Sequence, residues 1–426
     1  MSAFYKAISG LCLFISIPLL ILYLGSTNYG VWILVFTLFQ WILLMDFGLS
    51  SVLKTEIPKL QHTGNTPLIN AYIKSTYLIC CYISLVVFLL FTALFLLFDI
   101  HNLLNISFER TFVIKLFLIN IFFFCVNFVL NTHKALFISV HKGKFAEQSI
   151  AVNQIVFLLF LVVPFVFFPS LKAESKLYLI SCINGIVCIV INSIYSVYFF
   201  KTENFSLFST QKTPKQYRKS MYSLGSKYML IQVGTLFLFS SDNYILAYFF
   251  GPKEIVPYEI VTKYFQFPLM ILTAGMAPLW SLFANKYLEK NKIWLEKSFK
   301  KFNTIYPLLL LGIALCLVLA NPIMKIWISN DFIVPHFLLI VVAIMTALRI
   351  FTTFYSYFFN GIGNLKSYLV LLALSVVLKV PLSYLFIKLN FGLSSVVLSS
   401  VTCLLVWCIV QPLEAYKIVS NIKKNE

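Results

Sequence analysis

Residues 78–98 read Leu-Ile-Cys-Cys-Tyr-Ile-Ser-Leu-Val-Val-Phe-Leu-Leu-Phe-Thr-Ala-Leu-Phe-Leu-Leu-Phe, twenty-one positions without one charge. A helix needs about 20 mostly apolar residues to cross the hydrocarbon core of a bilayer, and this stretch alone supplies them. Residues 155–168 are also free of charge. The whole chain follows suit: of 426 residues 60% are apolar and 11% charged, against about 25% charged in soluble chains. With a mean hydropathy of +0.90, there is too little polar surface for a fold in water. The run Ala7 to Leu24 behind Lys6 has the outline of a signal peptide, but no soluble domain follows it, so it reads as the first membrane helix.

Working outward, apolar runs between polar or Pro/Gly breaks place spans at 7–24, 30–50, 68–98, 111–132, 147–168 and 177–200. After a basic stretch come 220–248, 256–284, 303–323, 332–358, 367–387 and 392–413. The reading is an all-α membrane protein of about twelve transmembrane helices. Lys and Arg accumulate in cytoplasmic loops. With the N-terminus in the cytoplasm, 22 of them fall in inside segments and 6 in outside loops. The alternation supports that orientation, and it makes the +18 net charge a matter of topology rather than a nucleic-acid footprint.

The longest polar stretch, residues 201–219, serves as a basic cytoplasmic linker between an N-terminal lobe of six helices (1–200) and a C-terminal lobe of six (220–426). The halves echo one another. Leu24-Gly25-Ser26-Thr27-Asn28-Tyr29-Gly30 opens the second span, and Phe250-Gly251-Pro252 through Tyr258 opens the eighth. Phe137 to Lys144 pairs in the same way with Phe359 to Lys366. The offsets, 226 and 222 residues, nearly agree, which predicts a duplication. Six is even, so the repeats enter the membrane in the same sense and are related by a pseudo-two-fold along its normal. Transporters that rock two lobes around a central site use this arrangement.

Nine cysteines sit singly in apolar runs apart from Cys80-Cys81, with no CxxC or Cys/His cluster; they read as small hydrophobes. No Ser/His/Asp array, nucleotide loop or metal-ligand spacing appears. The expectation is therefore a protein that is not an enzyme and uses no cofactor. Pro164, Pro268, Pro278 and Pro381 fall inside spans, where proline kinks a helix.

Several motifs carry a resemblance. Leu24-Gly25 followed by Tyr29-Gly30-Val31-Trp32, then Asp46-Phe47-Gly48-Leu49, resembles the start of an O-antigen flippase of the polysaccharide-export type. Asp242-Asn243-Tyr244-Ile245-Leu246 with Phe250-Gly251-Pro252 and Tyr258 is similar to that family's matching stretch in the second half. The resemblance covers essentially the whole chain, in order and spacing more than in any single motif. It implies a V-shaped, MATE-like fold of two six-helix lobes in the bacterial inner membrane, with both termini cytoplasmic. The implied activity is turning undecaprenyl-pyrophosphate-linked oligosaccharide from the cytoplasmic to the outer leaflet by alternating access. Implied partners are that substrate, membrane lipid, a coupling proton or sodium ion, and other polysaccharide-assembly proteins, with no nucleic acid. The chain lacks the two extra helices of the peptidoglycan-precursor flippases, which speaks against that branch. The competing reading is a multidrug or cation antiporter of the same superfamily.

Charges inside the spans supply candidate site residues. They are Lys74, Lys115, Lys263, Arg349 and Lys379 against Asp46, Asp242 and Glu259. Arg349 and Lys379 lie about nine residues or more from both ends of their spans, roughly 13 Å deep at 1.5 Å per residue. A charge at that depth costs about 2.5–3.5 kcal/mol on insertion scales, so it faces a cavity or an acid partner. Lys74 and Lys115 sit nearer to span ends and have snorkelling as their alternative. The excess of cations predicts a positive interior suited to pyrophosphate, with Arg349, Lys379, Lys263 and Lys115 as candidate substrate contacts. Asp242, Glu259 and Asp46 are candidate ion-coupling sites or ion-pair partners, Glu259 standing four residues before Lys263 in the order that favours a helix pair.

Overall fold

The computed structural model describes residues 2–44, 65–140, 142–207, 233–276, 279–329, 334–362 and 366–422, together with residues 53, 57, 60, 61, 230, 332 and 364. Among them there is no strand, and nine helices are long and apolar enough to cross a membrane. Lengths, caps and turn residues explain where these helices run. The longest, Thr66–Leu97 and Lys292–Trp327, have 32 and 36 residues, about 48 and 54 Å at 1.5 Å per residue. Both exceed the roughly 30 Å hydrocarbon core. Asn65 starts the first by accepting from the Leu68 amide at 3.2 Å, with Pro67 in the first turn, and Asn291 starts the second by accepting from Trp294 at 3.0 Å. These side chains satisfy amides that a helix leaves unpaired at its N-terminus. Gly25, at φ 78°, turns the chain between the first two helices, a conformation that glycine adopts without strain.

Packing divides the chain into two units, Met1–Leu236 with Phe250–Lys253, and Phe237–Phe249 with Glu254–Glu426. The first holds α1 (Ser2–Leu24), α2 (Ser26–Leu44), α3 (Thr66–Leu97), α4 (Arg110–Leu130), α5 (Thr132–Ser139), α6 (Gly143–Phe167) and α7 (Ala173–Glu203). In it α1 packs on α6, α7 packs on α4 and α6, and α4 packs on α2 and α3. The second unit holds α8 (Asp242–Phe250), α9 (Ile255–Met276), α10 (Leu279–Leu288), α11 (Lys292–Trp327), α12 (His336–Ile362), α13 (Lys366–Lys388) and α14 (Ser394–Ser420). Here α14 packs on α12 and α13, and α12 packs on α9 and α11. Counted by span, the sixth helix of each set packs on the fourth and fifth, and the fourth on the second and third. These four pairings recur in both units, whereas that of α1 on α6 has no counterpart of similar extent in the second among the described residues.

The span expected at 256–284 falls on Ile255–Met276 and Leu279–Leu288, with residues 277 and 278 outside the described residues. Residues 220–229, 231 and 232 of the expected seventh span, and residues 208–219 of the 201–219 linker, lie outside the described residues, as does Pro278.

Polarity within each unit is arranged for lipid. Leu22, Leu97, Leu311 and Val318 are each more than 60% exposed, while Asn120, Asn127, Asn192, Ser383 and Ser399 are buried. Lipid exerts no hydrophobic drive between helices, so interfaces rely on close packing and hydrogen bonds. On α14 the buried Ser395, Ser399 and Ser400 let α13 approach, and the Ser383 and Ser399 hydroxyls lie 2.9 Å apart.

Candidate functional site

Within the second unit, the structure brings together two of the expected residues. Lys379, on α13, has no exposed surface, and its ammonium lies 2.5 Å from Asp242 Oδ1. The same ammonium donates to the Val396 carbonyl at 2.7 Å and to Ser400 Oγ at 2.5 Å. Tyr258 donates its hydroxyl to Asp242 Oδ2 at 2.8 Å. Three elements, α8, α9 and α13, thus meet on one charged cluster, with α14 supplying its neutral acceptors. Burial of an ion pair repays its desolvation only when the remaining donors and acceptors are satisfied, and these bonds serve that need.

The other expected residues are held separately. Glu259 and Lys263, one turn apart on α9, form an ion pair at 3.3 Å. Arg349, on α12, is partly buried, with its guanidinium carbon 4.3 Å from the centre of the Phe239 ring. Lys115 is exposed on α4, in the first unit. Asp46 lies outside the described residues.

Two cavities stand out, one within each unit, and none of the six expected residues that are described lines either. The first, of about 150 Å³, lies among α2, α4, α5, α6 and α7. Seven amide side chains line it: Asn120, Asn127, Asn131, Asn153, Gln154, Asn184 and Asn192. Lys134 is the one charged residue in its lining among the described residues. Gly185 makes the helix contact beside it possible, since a Cβ there would lie 2.2 Å from the Phe123 ring of α4. The second cavity, of about 590 Å³, is lined by Leu272, Met276, Leu279, Trp294, Phe302, Ile305, Leu309 and Phe354, with Lys297, Ser298 and Lys301. The two lysines, four apart and hence on one helix face, have no ion-pair partner among the described residues.

Counting charges within spans overlooks the amides, and Lys134 falls between the expected spans 111–132 and 147–168. A spacing signal was present nonetheless. Asn120, Asn127 and Asn131 recur at seven and four residues along α4 and its C-cap, and Asn184, Cys188 and Asn192 at four and four on α7. Each set occupies one helical face.

The helices and their packing define a multi-pass membrane protein with a MATE-like fold. The structure is similar to an inward-facing multidrug-resistance MATE transporter of the MOP superfamily, with a TM-score of 0.79 at 15% identity over 100% of this chain and 96% of that one. A MOP-superfamily transporter from Pyrococcus furiosus, described as having a binding pocket of reverse polarity, gives a TM-score of 0.62 at 15% identity, covering 99% and 97%. Residues 4–277 match the family model of the polysaccharide biosynthesis proteins, and the chain belongs to that family. It is also 25% identical, over 83% of its own length and 80% of the other's, to a Yersinia pseudotuberculosis protein described as a candidate O-antigen export protein.

Proposed function

We propose that this chain is a flippase: it moves an oligosaccharide carried on a polyisoprenyl pyrophosphate from the cytoplasmic to the outer leaflet by alternating access. The observation that carries the reading is the 590 Å³ cavity of the second unit. Its walls are apolar and aromatic, and its polar groups are two lysines and a serine. Along α11, Lys301 stands eight residues before Leu309, about 12 Å at 1.5 Å per residue. A long hydrocarbon chain lies against such walls, and Lys297 and Lys301 attract the anionic group at its head. Lysine binds phosphate as a point charge, so a diphosphate linkage suits this pair.

The family and the Yersinia relative support the same reading. A carrier of cationic drugs calls for carboxylates, whereas the described residues lining the two cavities include three lysines and no acid. The excess of lysine and arginine in alternate loops, 22 against 6, supports cytoplasmic termini in an inner membrane. Asp242 and Glu259 stand as the acids through which a proton or sodium gradient would act.

The test is deletion of the gene, with analysis of both surface polysaccharide and lipid-linked intermediates. Loss of surface polymer, with single repeat units held on their carrier at the cytoplasmic leaflet, is expected. Repeat units gathered at the outer leaflet instead would assign the chain to a later step. An unchanged surface with altered drug sensitivity would make it an exporter of another kind.

A further inference from the structure

We infer that the 150 Å³ cavity of the first unit is a saccharide subsite, holding one hydroxyl-rich ring of the oligosaccharide through its amide side chains. This deepens the flippase reading and rests on it for the source of the sugar; the chemistry of the cavity stands on the geometry alone.

The hydrogen bonds fix which atoms are on offer. Asn127 donates its Nδ2 to the Phe123 carbonyl at 2.9 Å. Its Oδ1 is thereby turned toward Asn192, whose Nδ2 donates to it at 2.9 Å. Asn192 in turn directs its own Oδ1 away from that bond, and this oxygen is buried with no partner, on a residue only 2% exposed. The Oδ1 of Asn131, lining the same cavity, is buried and unpartnered as well. An unsatisfied buried acceptor is expensive, and native structures rarely keep one without a reason. Two in one cavity call for a ligand that donates hydrogen bonds.

Three kinds of partner are available: an ammonium, a metal ion, or an O–H group, whether of water or of a sugar. Lys134 lines the cavity and no carboxylate does among the described residues, so a cation entering it meets repulsion without compensation. O–H groups remain. A sugar hydroxyl both donates and accepts, and so does a primary amide, which makes Asn184 and Gln154, also on the wall, suitable partners for the next positions on a ring. The volume corresponds to about five waters at roughly 30 Å³ each, the scale of a single ring and not of a whole repeat unit. Phe36, Phe123 and Phe124 complete the wall and offer apolar surface to the C–H face of a ring. Lys134 biases the subsite toward rings bearing an acidic group.

The test uses the full chain in lipid nanodiscs and, as probe, the repeat-unit oligosaccharide released from the producing cell's surface polysaccharide, free of its lipid carrier. Binding is followed by saturation-transfer NMR. Cys188, which lines the cavity, reports location through its rate of alkylation by N-ethylmaleimide, read peptide by peptide in a mass spectrometer. Saturable binding is expected, with Cys188 alkylation slowed about tenfold at saturation. Asn192→Leu is expected to weaken binding about tenfold, since one buried hydrogen bond is lost, and to abolish the protection. If Asn192→Leu does not fold, Gln154→Leu, on a partly exposed position, is expected to act in the same direction. Absence of saturable binding, or binding that neither variant weakens and that leaves Cys188 unprotected, would overturn the inference and leave the cavity to water. The probe lacks its carrier and nothing needs to be flipped, so this failure is separate from that of the flippase reading, which the deletion phenotype decides.

Discussion

Removing one charge of the Asp242–Lys379 pair should destabilise the second unit severely, and removing both should not. Lys379 is wholly buried, with three oxygen contacts at 2.5–2.7 Å. In Lys379→Met, Asp242 keeps only the Tyr258 hydroxyl at 2.8 Å and faces apolar surroundings uncompensated. Breaking a buried pair in this way costs about 3–5 kcal/mol, a large part of the roughly 5–15 kcal/mol that holds a typical domain together. Asp242→Asn should cost less, because the ammonium retains the Val396 carbonyl and Ser400 hydroxyl for two of its three protons. The double variant Asp242→Asn/Lys379→Met carries no charge, and should recover most of the loss. The assay is unfolding of the purified chain in mixed micelles on titration with dodecyl sulfate. If Lys379→Met unfolds at the wild-type midpoint, or the double variant is as weak as Lys379→Met, the pair is not what holds α8, α9 and α13 together. Export by the double variant separates two roles. Wild-type export from a stable double variant would make the pair structural, and export lost with stability retained would place ion coupling at Asp242.

Other substitutions test the remaining sites. Lys297→Gln/Lys301→Gln should weaken binding of a fluorescent isoprenyl diphosphate about thirtyfold at low salt, by the usual strength of two lysines near an anionic surface; the difference should collapse in 1 M salt, and its persistence there would argue against an electrostatic contact. Gly185→Ala should destabilise the first unit by about 1–3 kcal/mol, the usual scale for overpacking, because its new Cβ would stand 2.2 Å from the Phe123 ring. Unchanged unfolding would mean that α4 and α7 separate freely. Arg349→Gln should abolish export in cells while leaving membrane insertion intact, and Arg349→Lys should keep part of it, since the charge remains but the planar fork is lost. Export by Arg349→Gln at the wild-type rate would remove Arg349 from the substrate path.

How much of this was legible in the sequence depends on the range of each signal. Membrane helices are local objects, set by apolar length, and the expected 111–132, 147–168 and 177–200 lie within a few residues of Arg110–Leu130, Gly143–Phe167 and Ala173–Glu203. The Glu259–Lys263 pair was legible for the same reason, as both residues sit on one turn of α9. Asp242 and Lys379 are 137 residues apart, and no periodicity links them. Charge balance indicated only that a deep lysine needs an acid or a cavity, and the fold supplied the acid. The first-unit cavity was missed for a different reason. Counting charges is a good guide to what a bilayer excludes, yet an amide also cannot face lipid without losing its hydrogen bonds. Six of the seven cavity amides lie on helices that cross the membrane by length and apolarity, and the seventh, Asn131, joins α4 to α5 inside the same apolar segment. Their faces converge because each must turn from lipid toward another helix, and once they converge they form a neutral, donor-and-acceptor wall that no tally of lysines and carboxylates detects. In a chain that is 60% apolar, the spacing of asparagines within spans therefore carries information about the site that the charged residues, largely committed to partners of their own, do not.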